Sequence, residues 1–353
     1  MMQSSRSRRC RTRRIAVPSL AVAVAMGLTA CGSGGSTVET DDDGVRHVSV
    51  VVGAYPVLES SVPWIVGTAK GTFAEHGVEV DEIIGSAGGS SDIRNALAAE
   101  VPLASVGTLA AAEAAQSGIE VTAVAAPSRN LAGTYLVASQ KSGLKTLDDV
   151  RGSDGLRWGY TNPKSVTESL AYLAMDEFGL AEGDQVEMVS SGGSGEAVTL
   201  LSSGDLDLAF IPATLYVGSE QRFGAMLGTA SEIVPDYSWE LLVTTPAILD
   251  ENRDVIKDLL QGYAAAVEYI EQDPAEAGKL WAEAAEIDPD VAVEVLEVAV
   301  AAGAFGTGGL DDNGWLAVED SLDRAGVKQT TTATLFAADF MQDVGFELPA
   351  RLR

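Results

Sequence analysis

The sequence is poor in the residues that most catalytic and metal sites need. Its 353 residues include two cysteines, Cys10 and Cys31, and two histidines, His47 and His76. Neither histidine has a companion at the spacing of a zinc site or of a Ser/His or Cys/His catalytic pair. We therefore expect no metal, no cofactor and no enzymatic activity.

Basic residues are also scarce, and their scarcity bears on the partners of the protein. Lysine and arginine total 23 against 51 aspartate and glutamate residues, so the formal net charge is −28. Such a surface repels polyanions, which excludes nucleic acid as a partner and suits a domain exposed to solvent. The hydrophobic content of 46% is sufficient to form a hydrophobic core. The length of 353 residues agrees with two domains. We expect a monomer.

Long apolar runs are missing as well. The first 30 residues join an arginine-rich start to the apolar stretch Ile15 to Ala30. That stretch is shorter than the roughly 20 apolar residues that cross a bilayer, and it has the layout of an export signal. Residues 1–30 therefore predict a signal peptide. Arg13 and Arg14 keep the twin-arginine route open beside the general one.

Cys31 follows this signal directly. Leu28-Thr29-Ala30-Cys31-Gly32 resembles the bacterial lipoprotein box, in which a peptidase cuts before a cysteine that becomes lipidated. An ordinary cleavage site beside a chance cysteine is the alternative. Residues 31–44, rich in Gly, Ser and Asp, then predict a flexible tether. We expect an extracytoplasmic protein that is anchored to the cell membrane by lipid on Cys31, with no disulfide.

From Arg46 onward, short apolar runs alternate with amphipathic stretches, which is typical of an α/β protein. Val48 to Val52 predicts a strand, residues 61–75 a helix, and Val78 to Ile84 a second strand. The chain after Thr245 reads as helical. Aspartate followed by proline opens two of its helices, at Asp273 and at Asp288.

An internal repeat indicates two lobes of similar construction. The segments that begin at Val80 and at Val186 both read as strand, glycine-rich turn, helix and strand. Gly88 and Gly89 of the first recur as Gly192 and Gly193 of the second.

Each glycine-rich turn leads into a helix start, where unpaired backbone N–H groups favour an anion or a polar oxygen. Ser90 stands at the first start and Ser194 at the second. A third start follows the strand Leu156 to Tyr160, where Ser165 and Glu168 match a capping box. Open α/β sheets bind ligands at such strand ends, so we predict a ligand site there. Plain helix capping is the alternative.

At this point the residues resemble the nitrate/sulfonate/taurine branch of the solute-binding proteins of ABC importers, a branch that also includes binders of thiamine-pyrimidine precursors. The resemblance is carried by PWIVGTAKGTFAEHGVEVD, by GLKTLDDVRGSDGLRWGYTNPKSVTESLAYLAMDEFGL, by LLSSGDLDLAFIPATLYV and by TTPAILDENRDVIKDLLQGYAAAVEYIEQDPAEAGKLWAEAA. It implies a two-lobed periplasmic-binding-protein fold of type II. Residues 45–133 with 236–353 would form lobe one and residues 134–235 lobe two, joined by two strand crossovers near TYLVAS and WELLVTT.

The resemblance also implies that a small organic anion, such as an aliphatic sulfonate, taurine or nitrate, binds between the lobes and passes to an ABC permease and its ATPase. The sequence departs from the family's pattern at two places, and both departures leave the class of ligand open. Ser105-Val106-Gly107-Thr108 replaces the family's common Ser-Thr-Gly, and Pro212-Ala213-Thr214 stands where Trp-Asp is common. A neutral heteroaromatic ligand, such as a thiamine pyrimidine precursor or riboflavin, and a ligand-sensing receptor subunit are the alternatives.

The candidate ligand contacts are turn residues, two aromatics that could wall the ligand or pack in the core, and one arginine that could clamp an anion or lie on the surface. They are Tyr55, Trp64, Gly88, Gly89, Ser90, Gly107, Thr108, Arg129, Thr161, Asn162, Ser165, Thr167, Ser194 and Thr214.

Overall fold

A computed structural model describes residues 38–353 of the chain. The predicted signal peptide, Cys31 and the first half of the predicted tether lie outside these described residues. Strands and helices alternate through the first two thirds of the described chain, and helices dominate the rest.

The strands are β1 Glu39–Thr40, β2 Arg46–Gly53, β3 Val78–Ser86, β4 Leu103–Gly107, β5 Thr122–Ser128, β6 Thr134–Ala138, β7 Leu156–Tyr160, β8 Val186–Ser190, β9 Leu208–Pro212, β10 Met226–Thr229, β11 Glu240–Thr244 and β12 Phe305–Gly308.

The helices are α1 Val62–Lys70, α2 Thr72–Glu75, α3 Ser90–Ala99, α4 Thr108–Gln116, α5 Leu147–Arg151, α6 Val166–Phe178, α7 Ser194–Ser203, α8 Ala213–Tyr216, α9 Ala230–Ile233, α10 Pro246–Glu251, α11 Arg253–Gln272, α12 Pro274–Ala285, α13 Pro289–Ala301, α14 Asp312–Arg324, α15 Gln329–Leu335 and α16 Ala338–Val344, with short 3₁₀ helices at Glu59–Ser61, Glu220–Arg222 and Ala350–Leu352.

The described strands form two sheets with the same internal order. The larger sheet runs β1-β2-β4-β11-β5-β12, and β3 pairs with β2; the smaller runs β10-β6-β9-β7-β8. In the larger sheet β2 is parallel to β3 and β4, and in the smaller β7 is parallel to β8 and β9. An antiparallel strand follows in each, β11 beside β4 and β6 beside β9. The predicted repeat is confirmed, because its two copies are β3-α3-β4 and β8-α7-β9.

Local sequence signals account for several helix boundaries. The Asp273 side chain accepts a hydrogen bond from the Glu276 N–H at 3.0 Å, and Asp288 caps α13 in the same way through Asp290 at 2.9 Å, so both predicted Asp-Pro starts are confirmed. The helix predicted over residues 61–75 is instead two helices. Gly71 separates them with φ of 77°, a left-handed conformation that glycine adopts without steric cost.

The central strands of both sheets are buried on both faces, as the runs of apolar residues in these strands require. Every residue of β4, β5, β6, β9 and β11 is buried. Trp158 on β7 is fully buried and stacks on Phe178, so it belongs to the core. No helix among the described residues is long and apolar enough to cross a membrane.

The chain passes from the larger sheet to the smaller between β5 and β6. It returns to the larger sheet between β10 and β11. TYLVAS and WELLVTT, which we expected to be the crossings, are therefore strands of one sheet each, and the crossings are the segments just before them. The lobe limits at residues 133/134 and 235/236 remain our prediction. They fall within the two connecting segments.

Candidate functional site

A cavity of about 470 Å³ lies between the two sheets. The larger sheet contributes the ends of β2, β3 and β4 with the start of β11, and the smaller contributes the end of β7 and the starts of α6 and α7. Predicted site residues that line the cavity are Tyr55, Gly88, Gly89, Gly107, Thr161, Ser165, Thr167 and Ser194. The carboxyl ends of parallel strands thus meet at the cavity, as open α/β sheets favour.

The glycine-rich turns bring uncapped helix starts to this cavity. Gly89 and Gly193 are the N-cap residues of α3 and α7, and no side chain caps either helix. The alternative of plain capping by Ser90 and Ser194 therefore does not apply. At α6 it does apply in part, because the Ser165 hydroxyl accepts from the Glu168 N–H at 3.3 Å. The Glu168 carboxylate accepts from the Lys164 N–H at 2.6 Å instead of completing the capping box.

Three hydroxyl groups of the smaller sheet's side hold one another in place. The Thr167 Oγ1 lies 2.9 Å from Thr161 Oγ1 and 3.0 Å from Ser165 Oγ, and it accepts from the Thr161 N–H at 2.9 Å. These side chains are partly or fully buried. This wall offers a fixed set of hydroxyl donors and acceptors to a ligand.

Two buried carboxyl groups face the cavity from the larger sheet's side, and sequence reasoning missed both. Asp92 on α3 is 2% exposed and accepts a hydrogen bond from the Ser86 hydroxyl. Burial raises the pKa of Asp92 to about 6, against the hydrogen bonds from Ser86 and from the N–H groups of Gly88 and Gly107, which lower it.

Glu240 is the second of these carboxyl groups. It begins β11, is 2% exposed, and accepts a hydrogen bond from the Ser105 hydroxyl. Burial raises its pKa to about 8, and the nearby carboxyls of Glu59 and Asp92 add to the shift. Glu59 is itself buried, with a pKa that burial raises to about 6, and its Oε1 has no hydrogen-bond partner.

The remainder of the cavity wall is largely apolar. Leu58, Leu131, Leu170, Leu215 and Trp239 line it together with the ring of Tyr55. Within residues 38–353, no lysine, arginine or histidine lines this cavity. The site therefore offers an apolar enclosure with carboxyl groups on one side and hydroxyl and backbone N–H groups on the other.

Two predicted contacts lie in the core instead. Trp64 is fully buried, stacks on Phe73 at 5.6 Å between ring centroids, and meets Tyr263 edge-on at 5.2 Å. Its position near the start of α1 turns the ring toward α2 and α11 and away from the cavity. Thr108 is also fully buried, and its hydroxyl donates to the Ser238 carbonyl oxygen at 2.9 Å.

Four other predicted contacts do not line the cavity either. Ser90 is exposed at the first position of α3, and Thr214 lies in α8 with its hydroxyl buried and unpartnered. The Asn162 amide donates across the cavity mouth to the Ala87 carbonyl oxygen at 3.3 Å. Arg129 is exposed and lines a separate cleft of about 570 Å³, because the chain turns toward β12 as it leaves β5.

Ion pairs join the helices of the two sheets beside the cavity. Lys164 pairs with Glu113 of α4 at 2.6 Å, and Arg324 of α14 pairs with Asp176 of α6. Each pair therefore connects a segment beside the larger sheet with a segment beside the smaller one.

The strand pairing also brings together a group that the spacing of histidines did not reveal. His47 faces Glu79 and Asp81 of the neighbouring strand, and its Nδ1 lies 3.0 Å from Asp81 Oδ1. Ligand atoms of these three residues lie within 4.8 Å of one another, so the group could hold a metal ion. The hydrogen bond to Asp81 raises the pKa of His47. The companions of His47 thus come from the paired strand β3 and not from its neighbours in sequence, and the absence of a metal stays a prediction.

Comparison with known proteins gives one family and one fold. A family model described as NMT1/THI5 like matches residues 59–277, more than half of the chain. No curated protein matches the sequence. The periplasmic nitrate-binding protein NrtA from Synechocystis PCC 6803 is similar in structure, with a TM-score of 0.68, 13% identity, and coverage of 85% of this chain and 88% of its own.

Two further solved structures are similar at a TM-score of 0.65 each. The alkanesulfonate-binding protein SsuA from Xanthomonas axonopodis pv. citri, bound to MOPS, is 12% identical over 80% of this chain and 94% of its own. A ligand-binding component of an ABC-type import system from Staphylococcus aureus, with zinc bound, is 15% identical over 87% and 97%. At these identities the similarity is one of fold, and that fold is the predicted two-lobed α/β architecture of periplasmic binding proteins.

Proposed function

Because the chain belongs to the NMT1/THI5-like family and has the periplasmic-binding-protein fold, we propose that it is the solute-binding component of an ABC importer. The observation that carries the proposal is the cavity of about 470 Å³ whose walls come from both sheets. A ligand held there contacts both halves at once, so its binding energy favours the closed arrangement that a permease can recognise. Binding, with no chemical change of the ligand, is the activity we assign.

Two observations bear on the ligand class, and they favour different ligands. Neighbours that bind sulfonate and nitrate support the predicted small organic anion. The buried carboxyls of Asp92 and Glu240, with the apolar walls around them, favour the nitrogen-containing heteroaromatics that we considered as the alternative.

A thermal-shift screen of the purified protein tests the proposed function. A ligand present at 100 times its dissociation constant is expected to stabilise the folded state by about 2.7 kcal/mol, and the gain should grow with concentration. The panel would contain sulfonates, nitrate, amines, pyrimidines and riboflavin, with extract of the producing cells as the widest source. A protein that gains stability from none of these, including the extract, would contradict the proposal.

We also propose that Cys31 carries the lipid that keeps the protein at the outer face of the cell membrane. The Cys31→Ala protein, which lacks the acceptor thiol, is expected to leave the membrane fraction and appear in the soluble extracytoplasmic fraction. Fractionation followed by immunoblotting measures this, and Cys10→Ala is the matched control because that cysteine lies within the predicted signal. Retention of the Cys31→Ala protein in the membrane would refute the anchor.

A further inference from the structure

We propose that this cavity selects a ligand with an apolar body and a protonated nitrogen or paired N–H donors, which bind the carboxyl group of Glu240. This inference rests on the proposed function and deepens it by naming the ligand class. It stands on the placement of Glu240, Ser60 and Asp92 around the cavity.

The Glu240 carboxyl can accept a hydrogen bond from a ligand in addition to the one from Ser105. Its Oε1 accepts from the Ser105 hydroxyl, and no described residue donates to its other carboxyl oxygen. The side chain is 2% exposed and lines the cavity, so the free oxygen is withdrawn from bulk water. The side chain lines the cavity, so a ligand N–H can reach this oxygen and donate to it.

Two further acceptors lie on the same side of the cavity. The Ser60 side chain is 4% exposed, lines the cavity, and has a hydroxyl without any partner among the described residues. Asp92 presents a second buried carboxyl, although Ser86 and two backbone N–H groups already donate to it. We therefore assign the direct contact to Glu240 and Ser60, and a longer-range electrostatic contribution to Asp92.

The balance of charge in the cavity favours a cationic group over an anionic one. Two carboxyls line the cavity and Glu59 adjoins it, while no basic side chain of the described chain lines it. A buried charge is tolerated when an opposite charge pairs with it, and a like charge placed nearby adds to its cost. An ammonium or amidinium group would supply the missing partner, whereas a sulfonate would face the carboxyls.

The other walls fit the rest of such a ligand. Tyr55, Leu58, Leu170 and Trp239 provide apolar and aromatic surface for its body. The hydroxyls of Thr161 and Ser165 and the start of α7 provide donors on the opposite side, where an acceptor group of the same molecule can bind.

Proton release distinguishes this arrangement from binding of an anion. The groups near the Glu240 carboxyl are the carboxyls of Glu59 and Asp92 and the hydroxyls of Tyr263 and Ser105, and none of them is cationic. Free Glu240 is therefore mostly protonated at pH 7. A cation that pairs with ionised Glu240 would expel about one proton per ligand at that pH, whereas an anion would keep the carboxyl protonated as a donor.

The test uses calorimetric titration with matched pairs of probes that share an apolar body: propylamine with 1-propanesulfonate, and benzylamine with phenylmethanesulfonate. We expect at least one amine to bind about 30-fold more tightly than its sulfonate, because the amine forms a buried ion pair with Glu240 that the sulfonate cannot form. The same titration in buffers of different ionisation enthalpy should report release of about one proton.

The Glu240→Gln protein supplies the decisive comparison, since glutamine keeps the shape and can donate but carries no charge. It should lose about 30-fold or more in affinity for the amine and release no proton. Glu187→Gln, on the exposed edge strand β8, is the matched control and should change neither.

Tight binding of a sulfonate that survives Glu240→Gln would overturn the inference and leave the proposed function intact. Binding of neither series would also overturn the inference. If extract of the producing cells gave no thermal shift either, the proposed function would fail separately.

Discussion

The Glu240→Gln protein is expected to be more stable than the wild type at pH 8 and nearly equal to it at pH 5. The folded chain holds the Glu240 proton up to a pKa of about 8, whereas the unfolded chain releases it near the ordinary value of 4.5. Between these values the folded state binds more protons than the unfolded state. The free energy of unfolding therefore falls as pH rises through this window.

The size of this effect follows from the width of the window. One pKa unit corresponds to ~1.4 kcal/mol, so Glu240 is expected to remove roughly 3 kcal/mol of wild-type stability between pH 5 and pH 8. Asp92 and Glu59, whose pKa values are each raised to about 6, act in the same direction mainly in the lower part of the window. The difference between variant and wild type isolates Glu240, because both proteins retain the other two carboxyls.

Urea unfolding of the two ligand-free proteins at pH 5, 6, 7 and 8 measures this directly. Glutamine at position 240 can still accept the hydrogen bond from Ser105, so the comparison removes the charge and little else. Parallel curves of unfolding free energy against pH for both proteins would show that Glu240 ionises normally, contrary to this account.

The Trp64→Ala protein is expected to lose about 3–5 kcal/mol of stability, the range for removal of a large aromatic from a packed core. Trp64 is fully buried, and its ring lies against the rings of Phe73 and Tyr263, which would lose this contact. Chemical denaturation measures the loss. Trp64→Phe should recover most of it, because an aromatic ring remains.

A second readout separates core packing from the ligand contact that we predicted from sequence. The folded Trp64→Phe protein should bind a cavity ligand with nearly wild-type affinity, whereas Tyr55→Ala, which changes the cavity wall, should weaken binding. A large loss of affinity in Trp64→Phe with little loss of stability would restore Trp64 to the site.

The fold was predictable because its signals are local and repeated. The glycine pairs, the alternation of apolar runs and the two Asp-Pro starts each depend on neighbours in sequence, and each is found in the structure. The repeat then placed Gly88, Gly89 and Ser194 at the strand ends that line the cavity.

The parts of the site that were missed depend on contacts between distant segments. Glu240 is the single charged residue in the buried strand β11, and an isolated charge in an apolar run was the signal available for it. Arg129 was assigned to the site as a cation just before the predicted first crossing, yet the direction of the chain after β5 places it in another cleft. His47 meets Glu79 and Asp81 only through the pairing of β2 with β3, which no spacing along the chain reveals.

The central claim is that the cavity between the sheets binds a ligand through the buried carboxyl of Glu240. Native mass spectrometry of the protein purified from the cells that produce it tests this claim most directly, because the bound compound can be released and identified. We predict a one-to-one complex with a compound that has an apolar body and a basic nitrogen or paired N–H donors, absent from the Glu240→Gln protein. A sulfonate, nitrate or other anion without such a group, retained by both proteins, would contradict the account.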